Sequence, residues 1–258
     1  MMRLMFYVLS LMLLASLIWI FQNNHPKMEP IGLTLQRDYL YLDGDAIMEV
    51  DLFINQKDHP LIHLEYHLAS YLMDVNQTKR LELSLLGIEK THEERYLNMA
   101  FHAFRLRFLL PEFNQTYVME DAFLNLHLAS NKTYTFSVGR LHVFSKKPNA
   151  ESMIWTALSG SKKPFSYHSR LHEITVKFEQ MPVAIASIDV GFNQYASFWI
   201  QENTLTIQLP DEPFLRNAMP FIIHFENGER VLFERFIYFH DYQLLKESGP
   251  LVNLYALD

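Results

Sequence analysis

Three residues with metal-binding side chains alternate along the chain at His63, Glu65 and His67. Imidazole nitrogens and carboxylate oxygens are the ligands that zinc, nickel and similar transition metals take in proteins. Alternate residues of a β-strand point to one face about 6.5 to 7 Å apart, so a strand here predicts a metal site that neighbouring strands must complete. His127 and His142 lie on other predicted strands and are the candidates for that role.

A simpler interpretation accounts for the same pattern, and we favour it. Residues 62–68 alternate apolar and polar side chains, as in a strand with one buried face and one face in water. The two histidines and the glutamate would then form the solvent face, without a metal. A metal-binding or metal-dependent function at His63, Glu65 and His67 is therefore the alternative hypothesis.

Other catalytic chemistry finds no support in the sequence. Cysteine is absent, which excludes thiol nucleophiles, thiolate metal sites and disulfides. No nucleophile elbow, P-loop or dinucleotide fingerprint is present, and Ser159-Gly-Ser-Lys162 lacks the companion patterns of a penicillin-binding enzyme. We therefore predict a protein that is not an enzyme, with no catalytic residue and no cofactor. Acidic residues outnumber basic ones, 29 to 22, so nucleic acid is not an expected partner.

Aromatic side chains are abundant, with 20 Phe and 13 Tyr in the chain. Most of them are expected in the core or in pairs across neighbouring strands. Phe192, Tyr195, Phe198 and Trp199 are close enough in sequence to form a platform for a sugar or a peptide.

The elements that would position these residues begin with an apolar segment at residues 4–21. Its 18 residues would make a helix of about 27 Å, close to the thickness of the hydrocarbon core of a bilayer. The segment is long for a cleaved signal peptide and ends in bulky residues, so we predict an uncleaved transmembrane signal anchor. Cleavage near Ala15 is the alternative.

The flanks of this anchor predict its orientation. Residues 1–3 carry Arg3 and would be a short cytoplasmic N-terminus, and residues 22–29 would be a juxtamembrane linker. Basic residues favour the cytoplasmic side, which leaves everything after the anchor outside the membrane. The lipid bilayer is thus a predicted partner, through residues 4–21, of a single-pass membrane protein. The absence of cysteine from so long an exported chain suggests a bacterial protein.

The remainder of the chain has the two-residue periodicity of β-strands. Residues 30–145 and 165–258 each contain a series of such segments, joined by an interdomain segment at residues 146–164 that two Lys-Lys-Pro triplets flank. We therefore predict an all-β protein with two tandem antiparallel β-sandwich domains, immunoglobulin-like in the spacing of their strands, after the N-terminal transmembrane helix.

Three local features refine this prediction. Asn227-Gly228 between two apolar alternating segments predicts a β-hairpin with a type I′ turn. Residues 241–248, which Gly249-Pro250 follow, favour a short helix, whereas residues 95–104 fit either a helix or a strand. With no catalytic pattern and an apparent anchor, we expect a binding or accessory subunit of a membrane or cell-envelope complex, with a protein partner.

Overall fold

The computed structural model describes residues 12, 14, 16, 29–42, 47–144, 155–162, 171–180, 184–191, 195–210, 214–216, 218–237 and 244–257. Residues 31–257 form one compact unit, and residues 1–30 belong to a separate one. The chain is all-β, as predicted. Its strands are β1 (Ile31–Leu35), β2 (Arg37–Leu42), β3 (Ile47–Ile54), β4 (His67–Asp74), β5 (Arg80–Tyr96), β6 (Met99–Leu109), β7 (Tyr117–Leu128), β8 (Thr133–Phe144), β9 (Trp155–Lys162), β10 (Leu171–Phe178), β11 (Ile185–Val190), β12 (Ser197–Gln201), β13 (Thr204–Gln208), β14 (Ala218–Phe225), β15 (Arg230–Ile237) and β16 (Val252–Ala256).

The largest sheet has nine strands in the order β16-β1-β3-β6-β5-β4-β7-β8-β2. Five strands separate β1 from β8 in this order, which would place them about 29 Å apart in a flat sheet. Thr34 of β1 nevertheless donates a hydrogen bond to the carbonyl of Ser137 of β8 at 2.7 Å. The sheet must therefore curve back on itself. Two register shifts in the long strand β5, after Leu85 and after Lys90, interrupt its pairing with β6.

This curvature encloses an apolar core. One face of β3 and β6 supplies alternate residues such as Val50 and Leu106, and one face of β7 and β8 supplies others such as Leu124 and Phe136. Burial of these side chains stabilises the closed sheet by about 25 cal/mol for each square ångström removed from water. Polar residues alternate with them on the opposite face, which explains the two-residue period of the sequence.

The strand β2 runs parallel to β8 and pairs with it. Among the strand pairs in the described part of the chain, this is the parallel one. Gly139 lies opposite Arg37 with a φ of +111°, and a Cβ at this position would be 2.0 Å from the carbonyl oxygen of Arg37. Glycine is required there by both the space and the backbone conformation. The prediction of antiparallel pairing is wrong at this edge of the sheet.

Buried ion pairs surround β2. The side chain of Asp38 is fully buried and accepts hydrogen bonds from Arg140 at 2.9 and 2.8 Å and from Nε of Arg216 at 2.8 Å. Burial alone would raise the pKa of Asp38, but the two guanidinium groups outweigh burial and hold that pKa below its usual value. Arg37 contacts Asp51 of β3 at 2.6 Å. These pairs connect the last strand of the sheet both to β3 and to the segment around residue 215.

Two smaller sheets pack together in the C-terminal half. One has the order β12-β13-β10-β9, and the other has the order β11-β14-β15. Their inward residues share one core, with Ile174 and Ile207 from the first sheet and Ile188 and Ile223 from the second. Leu40 of β2 also belongs to this core, whereas Tyr39 belongs to the core of the nine-stranded sheet. The strand β2 therefore contributes to two cores.

The end of the chain returns to the nine-stranded sheet. Helix α1 (Leu244–Ser248) packs against the outer side of β1, β3 and β6 through an apolar cluster that includes Phe53, Phe101 and Leu245. The strand β16 then pairs with β1. Trp155–Lys162, within the predicted interdomain segment 146–164, is strand β9 of the four-stranded sheet. The domain bounds 30–145 and 165–258 remain predictions.

Two local predictions, the strand from residue 62 and the turn at Asn227-Gly228, need correction. Residues 60–62 and 64–66 form 3₁₀ turns, so the strand predicted from residue 62 begins only at His67; Pro60 starts the first turn, where its fixed φ is favourable. The hairpin at Asn227-Gly228 is confirmed, but only Gly228 has a positive φ, and Gly228 N–H donates to the carbonyl of Phe225. This is a type I turn with a glycine bulge rather than a type I′ turn.

Residues 95–104 form strand rather than helix, because Tyr96 and Met99 close a hairpin between β5 and β6. The two turn residues, Leu97 and Asn98, both have positive φ, as a type I′ turn requires. The expected helix at residues 241–248 is present at 244–248, and its first part lies outside the described residues.

Candidate functional site

The four-stranded sheet has one face in the core and one face directed outward. Along β10 and β13 the residues Ile174, Val176, Leu205 and Ile207 point inward and are fully buried. Successive side chains of a strand point to opposite faces, so the intervening residues lie on the other side. We call this other side the outer face, and it is a candidate binding surface.

The strand register arranges the outer face into three rows that cross the sheet from β12 to β9. The central row is Trp199, Thr206, Thr175 and Ser159. Neighbouring strands are about 4.8 Å apart, so this row is about 14 Å long. The flanking rows are Ser197, Gln208, Glu173 and Ser161 on one side and Gln201, Thr204, Lys177 and Ala157 on the other.

Hydroxyl and amide groups dominate these rows. Most of the side chains are exposed or half-buried, and Thr206 in the centre is buried. Charge is sparse and balanced, because the rows contain one carboxylate, that of Glu173, and one ammonium group, that of Lys177. The three rows of the outer face thus carry no net formal charge and are rich in hydrogen-bonding groups.

Exposed aromatic rings lie at the β12 edge of this surface. Tyr195 and Trp199 are 77% and 47% exposed. Ala196 and Phe198, which lie between them in the sequence, pack into the core. This alternation places Ser197 and Trp199 of β12 on the outer face, and Tyr195, which precedes β12, forms a β-bridge with Asp189 of β11. Of the platform predicted from sequence, Tyr195 and Trp199 face outward, Phe198 faces inward, and Phe192 lies outside the described residues.

The structure does not align the three predicted metal ligands on one strand: Glu65 lies in a 3₁₀ turn that His63 precedes, and His67 begins β4. Nε2 of His63 is 2.6 Å from Oδ1 of Asp58, and Nδ1 is 3.8 Å from Oε1 of Glu65. His67 instead faces the carbonyl of Leu61, 3.0 Å from Nε2. Its partial burial lowers the pKa of His67, which favours the neutral ring.

The two histidines expected to complete the site have other contacts. His127 lies 2.8 Å from the hydroxyl of Thr133, and His142 is buried with Glu120 at 3.8 Å. Across the part of the chain that the structure describes, no group of three or more His, Asp or Glu side chains is arranged to hold a metal ion. Metal binding at His63, Glu65 and His67 stays a prediction.

Another cluster of ionisable groups, on β5 and β6, has a clear structural role. The buried carboxylate of Glu94 accepts hydrogen bonds from the backbone N–H groups of Leu244 and Leu245 at 3.0 and 2.8 Å, at the start of α1. A carboxylate at this position stabilises the unpaired N–H groups of the first helical turn. His92 contacts the same carboxylate at 2.7 Å. Glu94 therefore fastens the C-terminal segment to the nine-stranded sheet.

Sequence reasoning identified Trp199 and Tyr195 but missed the row beside them. In the sequence Ser159 belongs to a serine–lysine pattern, and no motif includes Thr175 or Thr206. Alternation within each strand was the available signal, because it separates outward from inward residues. The row itself depends on strand order and register, which join β12 to β13, β10 and β9.

The predicted anchor falls mostly outside the described residues. Of the segment 4–21, Met12, Leu14 and Ser16 are described, and all three are helical. A search limited to the described residues finds no helix with the length and apolar character needed to cross a membrane.

No protein-family model matches this sequence, and no curated protein matches it. Solved structures that match it include two with low TM-scores. One is SGBP-B of the mixed-linkage glucan utilization locus of Bacteroides ovatus, in complex with a mixed-linkage heptasaccharide: 16% identity, a TM-score of 0.22, and coverage of 78% of this chain. This chain covers 42% of that structure.

The second structure is the D00-D0 domain of intimin. It is 9% identical, with a TM-score of 0.22, and the match covers 81% of this chain and 100% of that domain. TM-scores of 0.22 are too low to assign a shared fold or a shared ligand.

Proposed function

We propose that this chain is a non-enzymatic binding or accessory subunit of a membrane or cell-envelope complex in a bacterium. Residues 4–21 would anchor it in the lipid bilayer, with the N-terminus inside. Two tandem β-sandwich domains, immunoglobulin-like in strand spacing and antiparallel except for the pair of β2 with β8, would lie outside the membrane. A protein partner in the same complex completes the proposal.

The observation that carries the binding function is the outer face of the four-stranded sheet. It is rich in hydrogen-bonding groups and ends at exposed Trp199, shortly after exposed Tyr195 in the sequence. Exposed aromatic side chains beside polar groups are typical of binding surfaces, because they bury a large area with little loss of conformational freedom.

The partners of the buried carboxylates support a non-enzymatic role. Two arginines hold the pKa of Asp38 below its usual value, and Glu94 accepts hydrogen bonds from two backbone N–H groups. A general acid at neutral pH needs surroundings that favour the protonated form, whereas the two arginines beside Asp38 favour its charged form. Both carboxylates instead join separate parts of the fold.

The tandem-sandwich proposal is supported by the two separate cores. One lies inside the curved nine-stranded sheet, and the other lies between the two smaller sheets. The anchor proposal is supported by the apolar run of residues 4–21 and by Arg3 before it.

Cell fractionation of the full-length chain tests the anchor. We expect the protein in the membrane pellet after an alkaline wash, with its N-terminal residues intact. Release into the soluble fraction with a new N-terminus near residue 20 would contradict it.

Crosslinking followed by affinity purification tests the binding function. The wild-type chain is compared with Thr175→Lys, in the central row of the outer face, and with Glu82→Lys, exposed on β5. We expect Thr175→Lys to lose the crosslinked partner and Glu82→Lys to retain it. Equal recovery from both variants would contradict a binding role for the outer face.

A further inference from the structure

We propose that the outer face binds an uncharged, unbranched β-1,4-linked glycan that lies across the strands from Trp199 to Ser159. This inference rests on the proposed binding function and deepens it, because the glycan would be the part of the crosslinked partner that contacts the outer face.

The aromatic edge favours a pyranose ligand. A β-1,4-linked glucose-type ring carries its substituents in the equatorial plane, so both ring faces present C–H groups. Such faces pack against the electron-rich face of an aromatic ring. Trp199 is 47% exposed at the end of the central row, and Tyr195, shortly before β12 in the sequence, is 77% exposed. They provide apolar surface at the point where the polar row begins.

The length and chemistry of the central row fit an extended sugar chain. The row crosses four strands, so it is about 14 Å long, comparable to three successive pyranose rings in an extended chain. Hydroxyl groups of Thr175 and Ser159 both donate and accept hydrogen bonds, as sugar hydroxyls do. Gln208 and Gln201 lie on the flanking rows and add amide groups on either side.

The charge of the surface argues against polyanions and in favour of a neutral ligand. Glu173 and Lys177 lie on opposite flanking rows, and their charges cancel. The central row has no ionisable side chain. A nucleic acid or an acidic polysaccharide needs an excess of basic groups along its path, which this surface lacks.

Calorimetric titration of the full-length protein tests this inference. The detergent must have no sugar headgroup, because a glycoside would compete for the site. Cellohexaose and chitohexaose represent plain and acetamido-substituted β-1,4 chains, and binding of either one supports the proposal. Isomaltohexaose, which is α-1,6-linked, and polygalacturonate, which is anionic, are expected not to bind.

The chain offers a matched control for the aromatic contact. Trp155 on β9 is 47% exposed, as is Trp199, but it lies outside the three rows. We expect Trp199→Ala to weaken glycan binding at least about tenfold, as for an aromatic residue that carries much of the binding energy, and Trp155→Ala to change it less than about twofold. Trp199→Phe retains a ring and should restore part of the affinity.

A second variant covers the case in which Trp199→Ala does not fold. Thr175→Arg adds a bulky charged side chain to the middle of the row and should abolish binding while circular dichroism remains unchanged. The inference is overturned if neither β-1,4 hexasaccharide binds, if isomaltohexaose or polygalacturonate binds equally well, or if Trp199→Ala binds like the wild type. If no glycan binds but Thr175→Lys still loses the crosslinked partner, the glycan inference fails and the binding function stands.

Discussion

Removal of the Asp38 carboxylate should destabilise the protein strongly. Asp38 is fully buried and accepts hydrogen bonds from Arg140 and Arg216, whose side chains are only 11% and 4% exposed. In Asp38→Ala both buried guanidinium groups would lose the carboxylate that they share. Breaking a buried ion pair from one side costs about 3 to 5 kcal/mol, mainly because the remaining charge is uncompensated.

The expected change is large enough for a thermal unfolding measurement. For a unit of this size each kcal/mol lowers the Tm by about 2 to 4 °C, so Asp38→Ala should lower it by roughly 6 to 20 °C. The assay is circular dichroism of the full-length chain. Because Asp38 joins β2 and β8 to the segment around residue 215, the C-terminal sheets should unfold at a lower temperature as well.

A surface ion pair supplies the control. Arg80 and Glu82 are 2.6 Å apart, with side chains 55% and 67% exposed. Exposed pairs contribute about 0 to 1 kcal/mol, so Glu82→Ala should lower the Tm by no more than about 4 °C. If Asp38→Ala lowers the Tm no more than Glu82→Ala does, the network around Asp38 does not stabilise the fold as described.

Three further results are expected. The depressed pKa of Asp38 stabilises the fold above the unfolded value of about 3.9. The difference in unfolding free energy between wild type and Asp38→Asn should therefore be constant from about pH 5 to 7 and shrink as the pH falls below about 4. A difference that does not change with pH would refute the stabilising role of the depressed pKa. Leu97→Asn should raise the free energy of unfolding, measured in urea, by about 0.5 to 1 kcal/mol. Leu97 is 62% exposed and has a φ of 49°, which asparagine adopts more readily than leucine. An unchanged unfolding midpoint would show that the turn is not strained. Zinc, nickel or copper should leave the Tm unchanged, because His67 faces Leu61 rather than His63 and Glu65. An increase in Tm on adding metal that His63→Ala removes would instead support the metal function.

The all-β class and most strands could be predicted because apolar and polar residues alternate along a strand that has one buried face. Met48, Val50 and Leu52 of β3 alternate with Glu49 and Asp51, and all three are buried in the core. The same signal misled at residues 62–66, where apolar and polar residues alternate but the chain forms 3₁₀ turns. Pro60 and the N-cap contact of His59 with the N–H of Leu61 are local interactions that override the pattern there.

Long-range pairing could not be predicted in the same way. The parallel pair of β2 with β8 brings together residues about a hundred positions apart, and the requirement for glycine at 139 appears only when Arg37 lies opposite. Likewise, no local sequence pattern indicates that Glu94 is buried. Glu94 is buried because helix α1, 150 residues later, places two N–H groups against it. The row from Trp199 to Ser159 depends on pairings of this kind.

The most direct test of the binding function is photo-crosslinking in intact cells. A photoreactive residue replaces Ser197, which is exposed on the outer face between Tyr195 and Trp199, or Glu82, which is exposed on β5. We predict a crosslinked species from position 197 that disappears when Thr175→Lys is added, and none from position 82. No crosslink from position 197, or the same crosslinks from both positions, would contradict the assignment of the outer face as the binding surface.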